Sequence, residues 1–124
     1  MNPVESSPDH TQKVLIMLRH PRQLGNAEEG LRMAKHMRKI RGLPTTLVLW
    51  GPEGVLLGKK GTFLEYNDRI TELIDLDVSI IVCQLGMERM GLSDKDLKPG
   101  LKSVAAEQIP ELLLRHTHDL IIYF

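Results

Sequence analysis

Cys83 is the one cysteine in the 124 residues. It closes the apolar stretch 78–82 and precedes residues 84–90, which suit a short helix ending at Gly91. A strand followed by a helix puts this sulfur at the carboxyl end of the strand and at a helix amino terminus. There, unpaired N–H groups and partial positive charge stabilise a thiolate, the nucleophilic form of cysteine. The competing reading makes Cys83 one more small core residue after Ile80, Ile81 and Val82. With no second cysteine, the chain forms no internal disulfide, two-cysteine redox pair or four-cysteine zinc site. That disfavours a thiol oxidoreductase acting alone and leaves open a single cysteine that accepts a group and hands it to a partner.

Other residues qualify as binding candidates. The segment 51–61, Gly-Pro-Glu-Gly-Val-Leu-Leu-Gly-Lys-Lys-Gly, looks like a phosphate loop but fails its test. Three residues, not four, separate Gly54 from Gly58, and Lys60, not Ser or Thr, follows Lys59. It reads as a structural loop in which Lys59 and Lys60 could face an anion. His20 follows the first strand, at the sheet end that carries Cys83, where an imidazole can tune a thiol; a solvated loop histidine is the plainer reading. Arg89 lies just downstream of Cys83. His116 and His118 lack metal-ligand spacing and fall in a turn expected at the opposite sheet end. Arg32, Lys35, Arg38, Lys39 and Arg41 crowd one helix, which usually means a solvated face.

Certain elements must position these residues. The run 14–18 suits a strand buried on both faces. A helix follows, with Asn26 as its cap, Glu29 completing a variant capping box, and Ala27, Leu31, Ala34, Met37 and Ile40 as its apolar stripe. Gly42 and Pro44 stop it. Residues 45–50 form a second strand. Thr62 and Glu65 suggest a capping box for a helix lined by Phe63, Tyr66, Ile70 and Leu73. A third strand covers 78–82, a short fourth 102–105, and a last one 120–123. Pro110 favours a helix that starts near Ile109 and runs to His116. Leu56, Leu57 and Phe63 either form an interface patch or fold back on the core. Strands alternating with helices imply an α/β fold: a three-layer α/β/α sandwich on a mostly parallel sheet of about five strands, flavodoxin-like. Chemistry in such sheets sits at the carboxyl ends of the strands.

Composition bounds the rest. Sixteen Lys and Arg balance sixteen Asp and Glu, and aromatics are 4%. Neither value suits a nucleic-acid binder. The longest apolar run is far short of a membrane span, and 1–12 reads as a polar arm before one domain at 13–124. No leader is visible, so the expected setting is cytoplasmic, with no membrane partner and no cofactor.

The order of pieces resembles the DsrE/DsrF-like family of small sulfur-relay proteins. The likeness rests on the opening strand with the helix carrying Leu31, Met33 and Ala34, then on 45–50 followed by Gly54-Val55. It continues through Ile81-Val82-Cys83 with Arg89 and Gly91-Leu92, Ile109-Pro110-Glu111-Leu112, and the ending Asp119-Leu-Ile-Ile-Tyr-Phe124. The resemblance implies an α/β/α sandwich, a homotrimer or homohexamer, and a persulfide carried on the cysteine matching Cys83. Sulfur would be exchanged with other carriers, such as TusA-like proteins. It fixes no role for His20, Lys59, Lys60 or Arg89. The rival classes are a small-anion or nucleotide binding module and an oligomeric structural protein of the same fold.

Overall fold

Val14–Leu18 forms the first strand, β1, and all five residues are buried. An unbroken apolar run needs cover on both faces, and the architecture provides it. The computed structural model describes residues 12–114 and 120–124. The arm at 1–12, apart from Gln12, lies outside the described residues, as do His10, His116, His118 and the expected helix end at His116.

The elements run β1, α1 (Asn26–Lys35), β2 (Thr45–Leu49), α2 (Gly51–Gly54), α3 (Asn67–Asp75), β3 (Ser79–Cys83), α4 (Gln84–Arg89), β4 (Lys102–Val104), α5 (Gln108–Leu114) and β5 (Leu120–Tyr123). The five strands are all parallel, in the order β4-β3-β2-β1-β5. From β1 to β4 the chain steps steadily toward one edge, so right-handed crossovers stack α1 to α4 on one face. The step from β4 back to β5 reverses direction and carries α5 to the other. Side-chain packing agrees. Val14, Ile16, Leu18, Leu47, Leu49, Ile80 and Val82 pack with Leu31, Leu73 and Met87 on the first face. Leu15, Met17, Val48, Ile81 and Cys83 pack with Ile109, Leu112 and Leu113 on the second. This is the expected three-layer α/β/α architecture.

Several local expectations need correction. Asn26 does not cap α1: Gly25, at φ 73°, precedes the helix, with no side-chain cap. The amides of Asn26 and Ala27 bond the carbonyls of Gln23 and Pro21 at 2.8 and 3.2 Å, so loop backbone does the capping. The stripe also fails at its end. The chain widens to a π turn at His36–Ile40, which throws the 3.6-residue period out of phase and leaves Ile40 67% exposed. Arg38 Nε donates to the Leu76 carbonyl at 2.7 Å from this turn. The Thr62/Glu65 box does not form either, since Phe63 turns left-handed (φ 51°) and Leu64–Tyr66 is a 3-10 turn. The capping box that does form joins Ser93 and Asp96. There the Ser93 amide donates to the Asp96 carboxylate at 2.8 Å. That bond, the Ser93 hydroxyl, Lys95 and Lys59 hold the Asp96 carboxyl below the ordinary 3.8, against some desolvation.

Segment 51–61 is not an open loop. Gly51–Gly54 is helical, and Val55–Gly58 continues it as a 3-10 turn. Val55 and Leu57 are fully buried, and Phe63 packs against the same core. Leu57 therefore folds back rather than joining a surface patch. Lys98, 6% exposed, fastens this turn by donating Nζ to the Leu57 carbonyl at 2.9 Å and the Phe63 carbonyl at 3.4 Å.

Burial pushes the Lys98 ammonium below the ordinary 10.5, while Glu65 opposes the shift. Replacing Lys98 with methionine is expected to cost about 1–3 kcal/mol at neutral pH, because the Leu57 carbonyl loses its partner. The pH dependence has a definite sign. Between the folded and the unfolded pKa the unfolded chain binds more protons, so wild-type stability rises with pH there and is flat below. Paired urea melts should show wild type gaining on Lys98→Met as pH approaches 10.5. A gap independent of pH contradicts this.

Candidate functional site at the carboxyl edge of the sheet

Strand register builds the site. Leu18 pairs with Leu49, Leu49 with Val82, and Cys83 with Val104. One residue beyond the first two pairs, Arg19, Trp50 and Cys83 stand side by side at the carboxyl edge. The Trp50 amide donates to the Leu18 carbonyl at 3.2 Å, which extends the ladder to this row. Strand alternation puts Trp50 and Cys83 on the α5 face, and both belong to its apolar cluster. The Arg19 guanidinium lies over the Trp50 ring, 5.0 Å from its centroid.

Cys83 is 8% exposed and precedes α4 with extended backbone (φ −72°, ψ 122°). The connection after β3 goes to the first face and the one after β4 to the second. The carboxyl ends of β3 and β4 therefore diverge at Cys83, and such a topological switch is where open α/β sheets bind ligands. A polar chain secures this point. Gln84 Nε2 donates to Ser103 Oγ at 3.1 Å, and the Ser103 hydroxyl donates to Asp94 Oδ1 at 2.7 Å.

Close backbone approach holds α2 against the same edge. A Cβ on Gly54 would stand 2.7 Å from the Leu18 carbonyl oxygen, and one on Gly86 3.0 Å from that of Gly51. Two buried polar atoms at this edge have no hydrogen-bond partner among the described residues, Trp50 Nε1 and Glu53 Oε1.

The structure brings only some of the expected candidates together. His20 lies at the same edge, with Nδ1 3.9 Å from Glu53 Oε1. Arg89 is exposed in the last turn of α4 and makes no ion pair among the described residues. Lys59 and Lys60 belong to the layer on the opposite face. Lys59 forms an isolated antiparallel bridge with Leu97, and the Lys60 amide donates to the Asp96 carbonyl at 2.8 Å. Among the described residues no group of three His, Cys, Asp or Glu is placed to hold a metal ion. No described helix is long and apolar enough to cross a membrane. Sequence reasoning missed Arg19 and Trp50. Their signal was positional: each is the first residue beyond its apolar strand, as its sheet neighbours are in register.

An all-parallel α/β sheet with one cysteine at its switch point defines a class of small α/β/α domains. Within that class the chain belongs to the DsrE/DsrF-like family, whose model matches residues 12–122. Among solved structures, the ychN protein of E. coli superposes with a TM-score of 0.80 at 20% identity, over 92% of this chain and all of that one. BT1422 of Bacteroides thetaiotaomicron, titled a conserved protein of unknown function, gives 0.72 at 16% identity, over 91% of this chain and 95% of its own. MTH1491 of Methanobacterium thermoautotrophicum, also titled as of unknown function, gives 0.69 at 16%, over 91% and 99%. These likenesses establish the fold. No curated protein matches the sequence.

Proposed function

We propose that this protein is a cytoplasmic sulfur relay that carries sulfur as a persulfide on Cys83 and passes it to a partner thiol. The observation that supports this most is the position of its single cysteine, at the carboxyl end of β3 and at the switch point of a DsrE-like sheet. Cys83 thiolate attacks the outer sulfur of a donor persulfide. The new S–S bond forms as the donor's own S–S bond breaks, and the donor thiolate leaves with the electron pair. An acceptor thiol, such as that of a TusA-like carrier, then takes the outer sulfur by the same displacement. In this reading His20 and Arg89 would act on approaching anions, and Lys59 and Lys60 would act from the opposite face.

The test is the intact mass of the purified protein after polysulfide or a persulfidated donor, and again after dithiothreitol. A reducible gain of one sulfur mapping to Cys83 is expected. No adduct from any donor, with Cys83 closed to alkylation in the native state, returns the residue to the core. That outcome moves the reading to a binding module.

A homo-oligomer, trimeric or hexameric, belongs to the same proposal. What supports it is the apolar side chains left at the surface, among them Leu24 (98% exposed), Leu64 and Tyr123, since Leu57 is buried in the core. Light scattering should give a multiple of 14.1 kDa. A single species at the chain mass removes the oligomer.

A further inference from the structure

Trp50 Nε1 and Glu53 Oε1 are a donor and an acceptor three residues apart in sequence, both buried atoms without a hydrogen bond among the described residues. The Glu53 side chain as a whole is 46% exposed, and its Oε1 faces His20 Nδ1 at 3.9 Å. Buried polar atoms are nearly always hydrogen-bonded, so two atoms of opposite sense without a bond, on residues that flank one strand end, call for an explanation. Around them stand Arg19, exposed and stacked on the Trp50 ring, and His20 beside Glu53. Arg19 makes no ion pair among the described residues; its guanidinium stacks on the ring while its stem lies along Gly51, and an exposed guanidinium so held can turn onto a ligand. The set thus offers an N–H donor, a guanidinium and a carboxylate at one sheet edge. A zwitterion complements it.

We infer that the carboxyl edge of β1 and β2 is a subsite for a free α-amino-acid thiol, with L-cysteine persulfide as the sulfur donor to Cys83. The α-carboxylate takes the Trp50 indole N–H and the Arg19 guanidinium, and the α-ammonium takes the Glu53 carboxylate. Trp50 stands beside Cys83 in the sheet, so a side chain one carbon long brings its sulfurs toward the Cys83 thiol. The identity of the cargo rests on the relay reading; the subsite does not. In the transfer, Cys83 thiolate bonds to the outer sulfur of R–S–SH, and the inner S–S bond breaks. Its electron pair leaves with the cysteine as R–S⁻, and the proton stays on the transferred sulfur. No oxidant or reductant is consumed.

Trp50 is the one tryptophan in the chain, so its emission reports on the subsite directly. The probe is S-methyl-L-cysteine, which has both charged groups and no sulfur to transfer. Titration should give a saturable emission change, with matching heat by calorimetry, in wild type and equally in Cys83→Ser. Arg19→Gln and Glu53→Gln should each raise Kd about tenfold or more, since each removes a charged hydrogen bond. S-Methylcysteamine, without the carboxylate, and 3-(methylthio)propionate, without the ammonium, should weaken comparably. An unsaturable titration overturns the subsite, as does equal affinity for the truncated analogues or indifference to both substitutions. The two readings fail separately. A protein that binds the probe but takes no sulfur from polysulfide keeps the subsite and loses the relay, and the reverse result does the opposite.

Discussion

Cys83→Ala is expected to lose all reducible sulfur loading and to keep its fold. The loss is complete because no other thiol exists in the chain to take over. The fold survives because the substitution removes one atom from a residue at the end of β3, where Met17, Val48 and Ile81 already fill the cluster beneath. Deleting one small buried group costs on the order of 1 kcal/mol, a modest part of a domain's stability. Circular dichroism and a urea melt should therefore nearly superpose on wild type while the mass shift disappears. Cys83→Ser is the sharper control, as its hydroxyl keeps the volume and cannot form a persulfide. A Cys83→Ala protein that still gains a reducible sulfur would show that the cargo sits elsewhere and would end the relay reading.

The strands were legible because their evidence is local. Val14–Leu18 and Ser79–Cys83 are apolar runs that only a covered parallel strand accommodates, and each lies within a residue of where the pattern puts it. Cys83 was legible as a candidate for the same reason, since its place at a strand end needs only the strand. Arg19 and Trp50 were not, because their nearness to Cys83 depends on register between three strands that are distant in sequence. Helix starts were misread where tertiary backbone replaced side chains. At α1 the Gly25 carbonyl takes the Glu29 amide, which an Asn26 cap would have served, and the loop carbonyls of Gln23 and Pro21 take the amides of Asn26 and Ala27. Segment 51–61 was misread because glycine signals both a loop and close packing, and here packing wins at Gly54 and Gly58.

Lys59 and Lys60 show what sequence proximity leaves out. They follow a turn that packs on the first face, while the Cys83 side chain belongs to the second. Residues linked by motif logic are thus parted by the sheet, and residues linked by no motif meet at its edge. The candidate surface is the row Arg19, Trp50, Cys83 and Val104. It is apolar below and cationic at one end, with the chain dividing above it to the two faces.

The same edge depends on Gly54, and Gly54→Ala is expected to destabilise the protein by about 3 kcal/mol, the upper part of the usual overpacking range. Propensity alone predicts the opposite. Gly54 has ordinary helical backbone (φ −60°, ψ −41°), where alanine is favoured over glycine by about 1 kcal/mol. The contact decides the sign. The added carbon would lie 2.7 Å from the Leu18 carbonyl oxygen and 3.3 Å from the Arg19 Cα, and these are backbone atoms at the end of β1 that cannot rotate away. Either α2 lifts from the sheet or β1 bends. Both moves separate Arg19 from Trp50 and disturb the ledge beside Cys83. Urea melts should show the stability loss, and Cys83 should load sulfur more slowly under conditions where the variant remains folded. Gly25→Ala is the control, because nothing stands within 4 Å of its Cβ and its cost comes only from the left-handed backbone. It should lose about 1 kcal/mol with loading unchanged. If Gly54→Ala is as stable as wild type, the close packing of α2 on β1 is not what holds this edge in place.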